Sequence, residues 1–166
     1  MAPLDFQIDL PIRSEWGNVE ELRASVDRTI ALASGNKEAG HSLAMIAAEL
    51  AENAVKYGYW EHGEGHIRVR IWGDYTSAHV AVDNPLKRGS DLPSALRGAL
   101  AWIARFPSAR AAYEAKVTQT AAHPSLDRSG LGLVRVSYEG GCTLRAEVLG
   151  ESLRVIADVQ LGTGAG

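Results

Sequence analysis

AMIAAELAENAVKYG, residues 44–58, carries a strong helical pattern. Apolar residues recur at spacings of three and four, as at Leu43, Ile46 and Leu50, and this is the period of one helix face. The glycine that closes the segment is typical of a helix end. The pattern predicts a helix over residues 41–57.

Three polar residues lie on one face of this predicted helix. Glu49, Asn53 and Lys56 are separated by four and three residues, a spacing that places them side by side. A carboxylate can orient or deprotonate a hydroxyl, an amide oxygen can bind a hard cation, and an ammonium can meet a phosphate. Phosphoryl transfer needs these groups, because it depends on positioning and charge stabilisation.

The same spacing also fits a solvated helix face, which commonly carries charged and amide side chains. Asn53, however, stands inside an alanine-rich segment and has no capping position to fill. A mid-helix asparagine favours the functional interpretation, while the spacing alone leaves both open.

On either side of this helix the sequence alternates between strand and helix patterns. LDFQIDLPI suits an edge strand, HIRVRIW with SAHVAVDN suits an antiparallel hairpin, and CTLRAEVL with LRVIADVQL suits a second hairpin. A further helix is predicted from Asn18, its N-cap, to Gly35, where it stops. Two helices that meet near Pro107 are predicted over residues 91–122, and a short helix is predicted at LGLVRVSYE. This order predicts an α+β fold with helices on one face of a mostly antiparallel, mixed sheet.

Composition limits the class of protein. With 166 residues, 46% hydrophobic and 22% charged, the chain is expected to form one domain over residues 1–166, with a helical insertion at about 91–122 and a frayed tail at 162–166. A net charge of -3 argues against nucleic acid as a partner. Cys142 is the only cysteine and is expected in the core. No signal peptide and no sufficiently long apolar run is found, so we expect a cytoplasmic protein with no membrane contact.

Two glycines precede the short apolar helix near the end of the chain. In DRSGLGLVRVSYEGG, Gly130 and Gly132 stand where backbone amides and a helix N-terminus can cradle a phosphate. Glycine pairs before helices are more often plain turns. The pair gains weight only in combination with Glu49 and Asn53.

Three segments of the chain agree with the motifs of a known superfamily. ELAENAVKYG is similar to the N-box of the GHKL, or histidine-kinase-like, ATPases, and SGLGLVRV is similar to their second glycine box. VAVDNP stands where their first glycine box begins. Within the superfamily, this compact chain without a helical hairpin that carries a phosphoacceptor histidine resembles the bacterial anti-sigma-factor serine/threonine kinases. The stretch ARAAYEAKVTQTAAHPSLDRSGLGLVRVSYEGG, a helix that runs straight into the glycine box, is similar to the SiaB-like regulators.

The resemblance implies a Bergerat-type two-layer sandwich that binds ATP and Mg²⁺. Glu49 would be the catalytic base, Asn53 would ligate Mg²⁺, and Lys56 would approach a phosphate. Asp83 would accept a hydrogen bond from the adenine amino group. The resemblance also implies that backbone amides hold the phosphates at Gly130, Leu131 and Gly132.

The resemblance further implies a role in bacterial signalling. An ATP-binding serine/threonine protein kinase of this kind regulates a small partner protein, a STAS-type anti-sigma-factor antagonist, or holds a sigma factor. Related kinases often form homodimers, and the predicted first strand offers an apolar contact for a second copy.

A departure from the family pattern keeps a second function open. Two residues after its aspartate, the first glycine box has a glycine, whereas this chain has Pro85, which fixes φ and lacks an N–H. Asp83 also suits the end of a strand, since aspartate is favoured in turns. The alternative is therefore a GHKL-fold binding module without nucleotide turnover that acts by protein–protein interaction. A stand-alone histidine-kinase catalytic domain is a third, less favoured interpretation.

Overall fold

The computed structural model describes residues 4–12, 17–34, 36–60, 65–74, 76–123 and 131–161. The strands in these ranges are β1 Leu4–Ile12, β2 Gly65–Gly73, β3 Ser77–Pro85, β4 Cys142–Leu149 and β5 Ser152–Gln160. The helices are α1 Gly17–Ser34, α2 Lys37–Tyr57, α3 Ser94–Ala104, α4 Ala109–Ala122 and α5 Leu131–Glu139. Together they form a two-layer α+β sandwich, which confirms the predicted fold class.

The strands of the described ranges form one sheet in the order β1-β2-β3-β5-β4. Each pairing among them is antiparallel. β1 lies at one edge, as its prolines predicted, because proline has no N–H to donate to a neighbouring strand. Both predicted hairpins are confirmed, as β2 with β3 and β4 with β5.

Alternation along the strands gives the sheet two different faces. The face toward the helices carries the apolar core, to which the cross-strand neighbours Val82 and Val155 belong. The opposite face, called the outer face below, carries charged side chains. The residues next to Val82 and Val155 in sequence point to this outer face. Three of its charged residues lie side by side on neighbouring strands, in the order Arg68, Asp83, Arg154.

α2 is the central helix of the second layer. It begins four residues before the predicted start at His41, because the Asn36 side chain accepts a hydrogen bond from the Ala39 N–H at 3.0 Å and caps the helix. A side chain at Gly40 would lie 3.0 Å from the Asp27 carbonyl oxygen of α1. Glycine at this position therefore lets α1 and α2 approach closely.

α1 is confirmed over most of its predicted length. It begins at Gly17, so the backbone of Asn18, the predicted N-cap, already lies inside the helix. Its buried stripe includes Leu22 and Val26 and packs into the core. None of the helices in the described ranges, this one included, is both long and apolar enough to cross a membrane.

The segment over residues 91–122 contains two helices, as predicted. Leu96 of α3 joins the same core as the sheet. α4 lies against α5 through the stacked rings of Tyr113 and Tyr138, whose centres are 5.1 Å apart. The segment is thus attached to the main body of the fold along α5.

α5 packs tightly on α2 at its C-terminal end. A Cβ added at Gly140 would lie 2.9 Å from the Ile46 side chain and 2.5 Å from the Val136 carbonyl, so a larger residue does not fit there. Cys142 follows at the start of β4 and is buried, which confirms its expected core position. Burial raises the pKa of the Cys142 thiol to about 12.

Candidate functional site

Glu49 and Asn53 stand one turn apart on α2, as their spacing predicted. The Asn53 amide nitrogen donates a hydrogen bond to the main-chain carbonyl of Glu49 at 2.8 Å. This bond fixes the amide, and within the described part of the chain no donor reaches its Oδ1. A carboxylate and an available amide oxygen therefore lie next to each other on one helix face.

The N-terminal turn of α5 lies against Glu49. α5 begins at Leu131, and a Cβ added at Gly132 would lie 3.4 Å from Glu49 Oε2. With glycine there, no side chain separates the α5 main chain from the carboxylate. The structure thus brings Glu49 next to Gly132, which follows Leu131 at the start of α5, with Asn53 one turn from Glu49 on α2. Gly130 lies outside the described residues.

Arg135 is a site residue that the sequence analysis missed. Its Nη2 donates to Glu49 Oε1, and the two side chains form an ion pair between α5 and α2, called the inner pair below. The Glu49 side chain is only 13% exposed, whereas that of Arg135 is 41% exposed. The available signal was a single basic residue inside the apolar LGLVRV segment, one turn after Leu131.

Lys56 has a different environment from Glu49 and Asn53. It is exposed, and its Nζ lies 5.2 Å from the centre of the Tyr57 ring, a cation–π distance. No ion pair joins Lys56 to Glu49 in the part of the chain that the structure describes. A phosphate contact by Lys56 stays a prediction.

Asp83 lies on the outer face and is not brought together with Glu49 and Asn53. Its two carboxylate oxygens accept hydrogen bonds from Arg154 Nε at 2.7 Å and Nη2 at 2.8 Å. We call this two-point contact the outer pair. The hydrogen bond to Asp83 raises the pKa of Arg154. In this conformation the carboxylate is occupied by arginine, so an adenine contact by Asp83 stays a prediction.

The next residue, Asn84, points the other way, into the layer that contains α2. Its side chain is buried, with 2% of the residue exposed, and its Nδ2 donates to the Pro85 carbonyl at 3.1 Å. The same carbonyl accepts from the Tyr59 N–H at 2.8 Å, which joins Asn84 to the end of α2. Asn84 Oδ1 is buried and has no hydrogen-bond partner among the described residues. Such an acceptor is costly unless something donates to it.

Some of the residues described above fit a magnesium-bound nucleotide chemically, and others do not. The oxygens of Glu49 and Asn53 are of the type that Mg²⁺ prefers, and the amides at the start of α5 are of the type that phosphate prefers. On the base side, the unpartnered Asn84 Oδ1 suits an amino group, whereas the occupied Asp83 does not. The described residues contain no cluster of three or more His, Cys, Asp or Glu side chains arranged to hold a metal by themselves.

Neither a scan against protein-family models nor a search of curated proteins found a match to this chain. The functional interpretation therefore rests on the motifs and on the contacts between α2, α5 and β3.

Proposed function

We propose that this chain is an ATP-binding serine/threonine protein kinase of the GHKL type that acts on a small STAS-type regulatory protein in the bacterial cytoplasm. One observation carries the proposal: Glu49 of α2 faces the glycine-containing start of α5, where its Oε2 lies 3.4 Å from the Cβ position of Gly132, and Asn53 stands one turn away on α2. A carboxylate, an amide oxygen and a helix N-terminus are the groups that phosphoryl transfer requires.

Each of these groups has a separate task in the proposed reaction. A bound Mg·ATP would supply the γ-phosphoryl group and leave as Mg·ADP, and its Mg²⁺ would offset the charge of the phosphates. Asn53 Oδ1 is the metal ligand, held ready by its Nδ2 hydrogen bond to the Glu49 carbonyl. The amides of Leu131 and Gly132 bind phosphate oxygens. Glu49 orients the serine or threonine hydroxyl of the partner and accepts its proton on Oε2, the oxygen that faces α5 and that Arg135 does not contact.

On the base side we assign the adenine contact to Asn84 rather than Asp83. Successive residues of a strand point to opposite faces, and Asn84 is the one on the α2 side. Its buried Oδ1 is an acceptor without a donor, and the adenine amino group is a donor. Asp83 then has a structural task as the partner of Arg154.

Two measurements test the proposal. Calorimetric titration with Mg·ATP should show binding, and Asn53→Ala should weaken it roughly tenfold or more, the effect of losing an interaction with a charged group. In the second measurement, radiolabelled γ-phosphate should appear on a serine or threonine of a small STAS-type protein from the same organism. Absence of both the heat of binding and the transfer contradicts the kinase.

A second function is favoured by the outer pair. Because Arg154 occupies Asp83 and Pro85 replaces a glycine of the family pattern, the chain also fits a GHKL-fold binding module without nucleotide turnover. Partner binding and signalling in cells distinguish the two functions. If Asn53→Ala leaves both unchanged while the protein stays folded, the binding module is the function.

A further inference from the structure

The inner pair uses only part of what the arginine offers. Arg135 contacts Glu49 Oε1 through Nη2 alone. Its Nε is buried and has no hydrogen-bond partner among the described residues, because Glu139 Oε2, with which it forms an ion pair, lies 3.8 Å away, too far for a hydrogen bond. A guanidinium has five N–H donors and binds a carboxylate or phosphate best through two of them at once. Donors of Arg135 are left over for another acceptor.

The surroundings of the inner pair favour an anion as that acceptor. Arg135 stands one turn after Leu131, so its charge adds to that of the helix end beside Gly132. Its side chain is also more exposed than that of Glu49, so an arriving ligand meets the arginine more readily than the carboxylate. Without the arginine, the Glu49 carboxylate would repel a polyphosphate at this place.

We propose that Arg135 is an anion-binding residue that exchanges Glu49 for the terminal phosphate of a bound polyphosphate. Before the ligand binds, Nη2 contacts Glu49 Oε1 and compensates its charge. When the ligand reaches the start of α5, the guanidinium turns to the phosphate and makes a two-point contact that includes Nε. The identification of this polyphosphate as ATP rests on the proposed function.

The exchange couples ligand binding to the availability of Glu49. As long as Arg135 holds Oε1, the carboxylate has one engaged oxygen. Once the guanidinium has moved, both oxygens can contact the hydroxyl of the partner protein. Arg135 is then a positioning residue for Glu49 as well as a ligand of the phosphate.

Calorimetric titration with inorganic tripolyphosphate tests the exchange in four proteins: wild type, Arg135→Gln, Glu49→Gln and the double variant. Arg135→Gln should weaken binding roughly tenfold, the loss expected for a hydrogen bond to a charged group. Glu49→Gln should strengthen binding about fivefold, because the carboxylate that accepts the hydrogen bond of Arg135 no longer competes with the anion. In the double variant this gain should largely disappear, because no arginine remains to be released.

Two further variants separate anion binding from a merely structural role. Arg154→Gln breaks the outer pair by the same substitution and should leave the affinity for tripolyphosphate unchanged. Arg135→Lys keeps the charge but not the two-point geometry, and it should restore part of the lost affinity. Circular dichroism and the urea midpoint establish that each variant is folded.

The outcomes are decisive in each direction. Binding by Glu49→Gln but not by wild type supports competition between Glu49 and the anion for Arg135. Three results would overturn the exchange. They are an unchanged affinity in Arg135→Gln, an equal gain from Glu49→Gln in wild type and in Arg135→Gln, and no binding by any of the proteins. If tripolyphosphate follows the expected pattern while Mg·ATP gives neither heat of binding nor phosphate transfer, the exchange stands and the proposed kinase fails.

Discussion

The inner and outer pairs join the same two chemical groups in different ways. In the outer pair, both oxygens of Asp83 are held by two nitrogens of Arg154, so the contact is complete. In the inner pair, one nitrogen of Arg135 holds one oxygen of Glu49, and a buried Nε has no hydrogen-bond partner among the described residues. A complete pair stabilises a fold, whereas an incomplete pair retains donors for a ligand.

The different settings of the two pairs explain this contrast. Asp83 and Arg154 are directly opposite each other on neighbouring strands, and Arg68 follows on the next strand, so charges alternate across the sheet. Cross-strand pairs of opposite charge stabilise a sheet in this register. The inner pair joins two helices beside a helix N-terminus and a glycine, where no side chain stands between the main chain at Gly132 and the Glu49 carboxylate.

The largest effect should come from replacing the carboxylate of each pair by an amide. Glu49→Gln should lower the rate of phosphate transfer roughly 10²–10⁴-fold, because an amide does not accept the hydroxyl proton. Asp83→Asn should leave the rate nearly unchanged, because its side chain lies on the outer face. Initial rates of transfer at saturating ATP measure both. An equally large fall in the transfer rate in Asp83→Asn would contradict this contrast between the two pairs and would mean that Asp83 belongs to the functional site.

The adjacent positions 83 and 84 test which side of the sheet meets the nucleotide. Asn84→Leu removes a buried acceptor without a partner, so it should lower the affinity for Mg·ATP up to about tenfold. The fold should stay about equally stable, because the Pro85 carbonyl loses the Asn84 Nδ2 bond but keeps that of the Tyr59 N–H. Asp83→Ala is the matched control, for which a loss of stability without a loss of affinity is expected. Calorimetry and urea unfolding measure the two quantities. The reverse result, with affinity lost at position 83, would show that the base lies on the outer face.

Replacing the arginine of each pair should show which pair contributes more to the free energy of unfolding. Arg154→Leu leaves Asp83, whose side chain is 18% exposed, without its two hydrogen bonds and should lower the free energy of unfolding by about 1–2 kcal/mol. Arg135→Leu removes one hydrogen bond, to Glu49, and a longer, exposed ion pair with Glu139. Glu49 keeps the favourable field of the α5 N-terminus, so the loss should be smaller. Urea unfolding of both variants provides the measurement. A larger loss for Arg135→Leu would mean that the inner pair is structural.

The smallest effect concerns acid sensitivity on the outer face. Asp158 accepts a hydrogen bond from Arg145 at 2.9 Å and contacts His79 at 2.6 Å. Burial raises the pKa of Asp158, but these hydrogen bonds outweigh burial and bring it below the usual 3.8. A carboxyl whose pKa is lowered by folding stabilises above the unfolded value, and this stabilisation is lost as the pH falls through the folded value.

Below about pH 4, stability should therefore fall less steeply in Asp158→Asn than in wild type. Urea midpoints between neutral and acidic pH provide the measurement. Parallel curves for the two proteins would mean that the contacts of Asp158 do not contribute to folding.

Most of the fold was predictable because local patterns agree with it. The period of three and four gave α2, and period two gave both hairpins, since burial follows these periods directly. The earlier start of α2 was missed because the cap at Asn36 precedes the apolar pattern. The partner of Glu49 was missed for another reason. Arg135 contacts it only through the packing of α5 on α2, and sequence spacing carries no information about such a contact.

The position of Asp83 shows a second limit. The strand that contains Asp83 was predicted, but a shift of one residue moves a side chain to the other face of a sheet. Whether Asp83 or Asn84 faces α2 depends on the pairing of β3 with β2 and β5, which the motif does not specify. Glu49 and Asn53 were predictable because both belong to one helix, whose geometry fixes their neighbourhood.

Because of its hydrogen bond to the Glu49 carbonyl, the Asn53 side chain loses its rotational entropy on folding and not on ligand binding. An asparagine side chain that is free to rotate must be immobilised when a ligand binds, at a cost of about 0.5–1.5 kcal/mol for a typical side chain. Here the amide is already held by its own helix. Its rotational freedom is lost when α2 folds, so a cation that reaches Oδ1 meets an oxygen whose direction is set in advance.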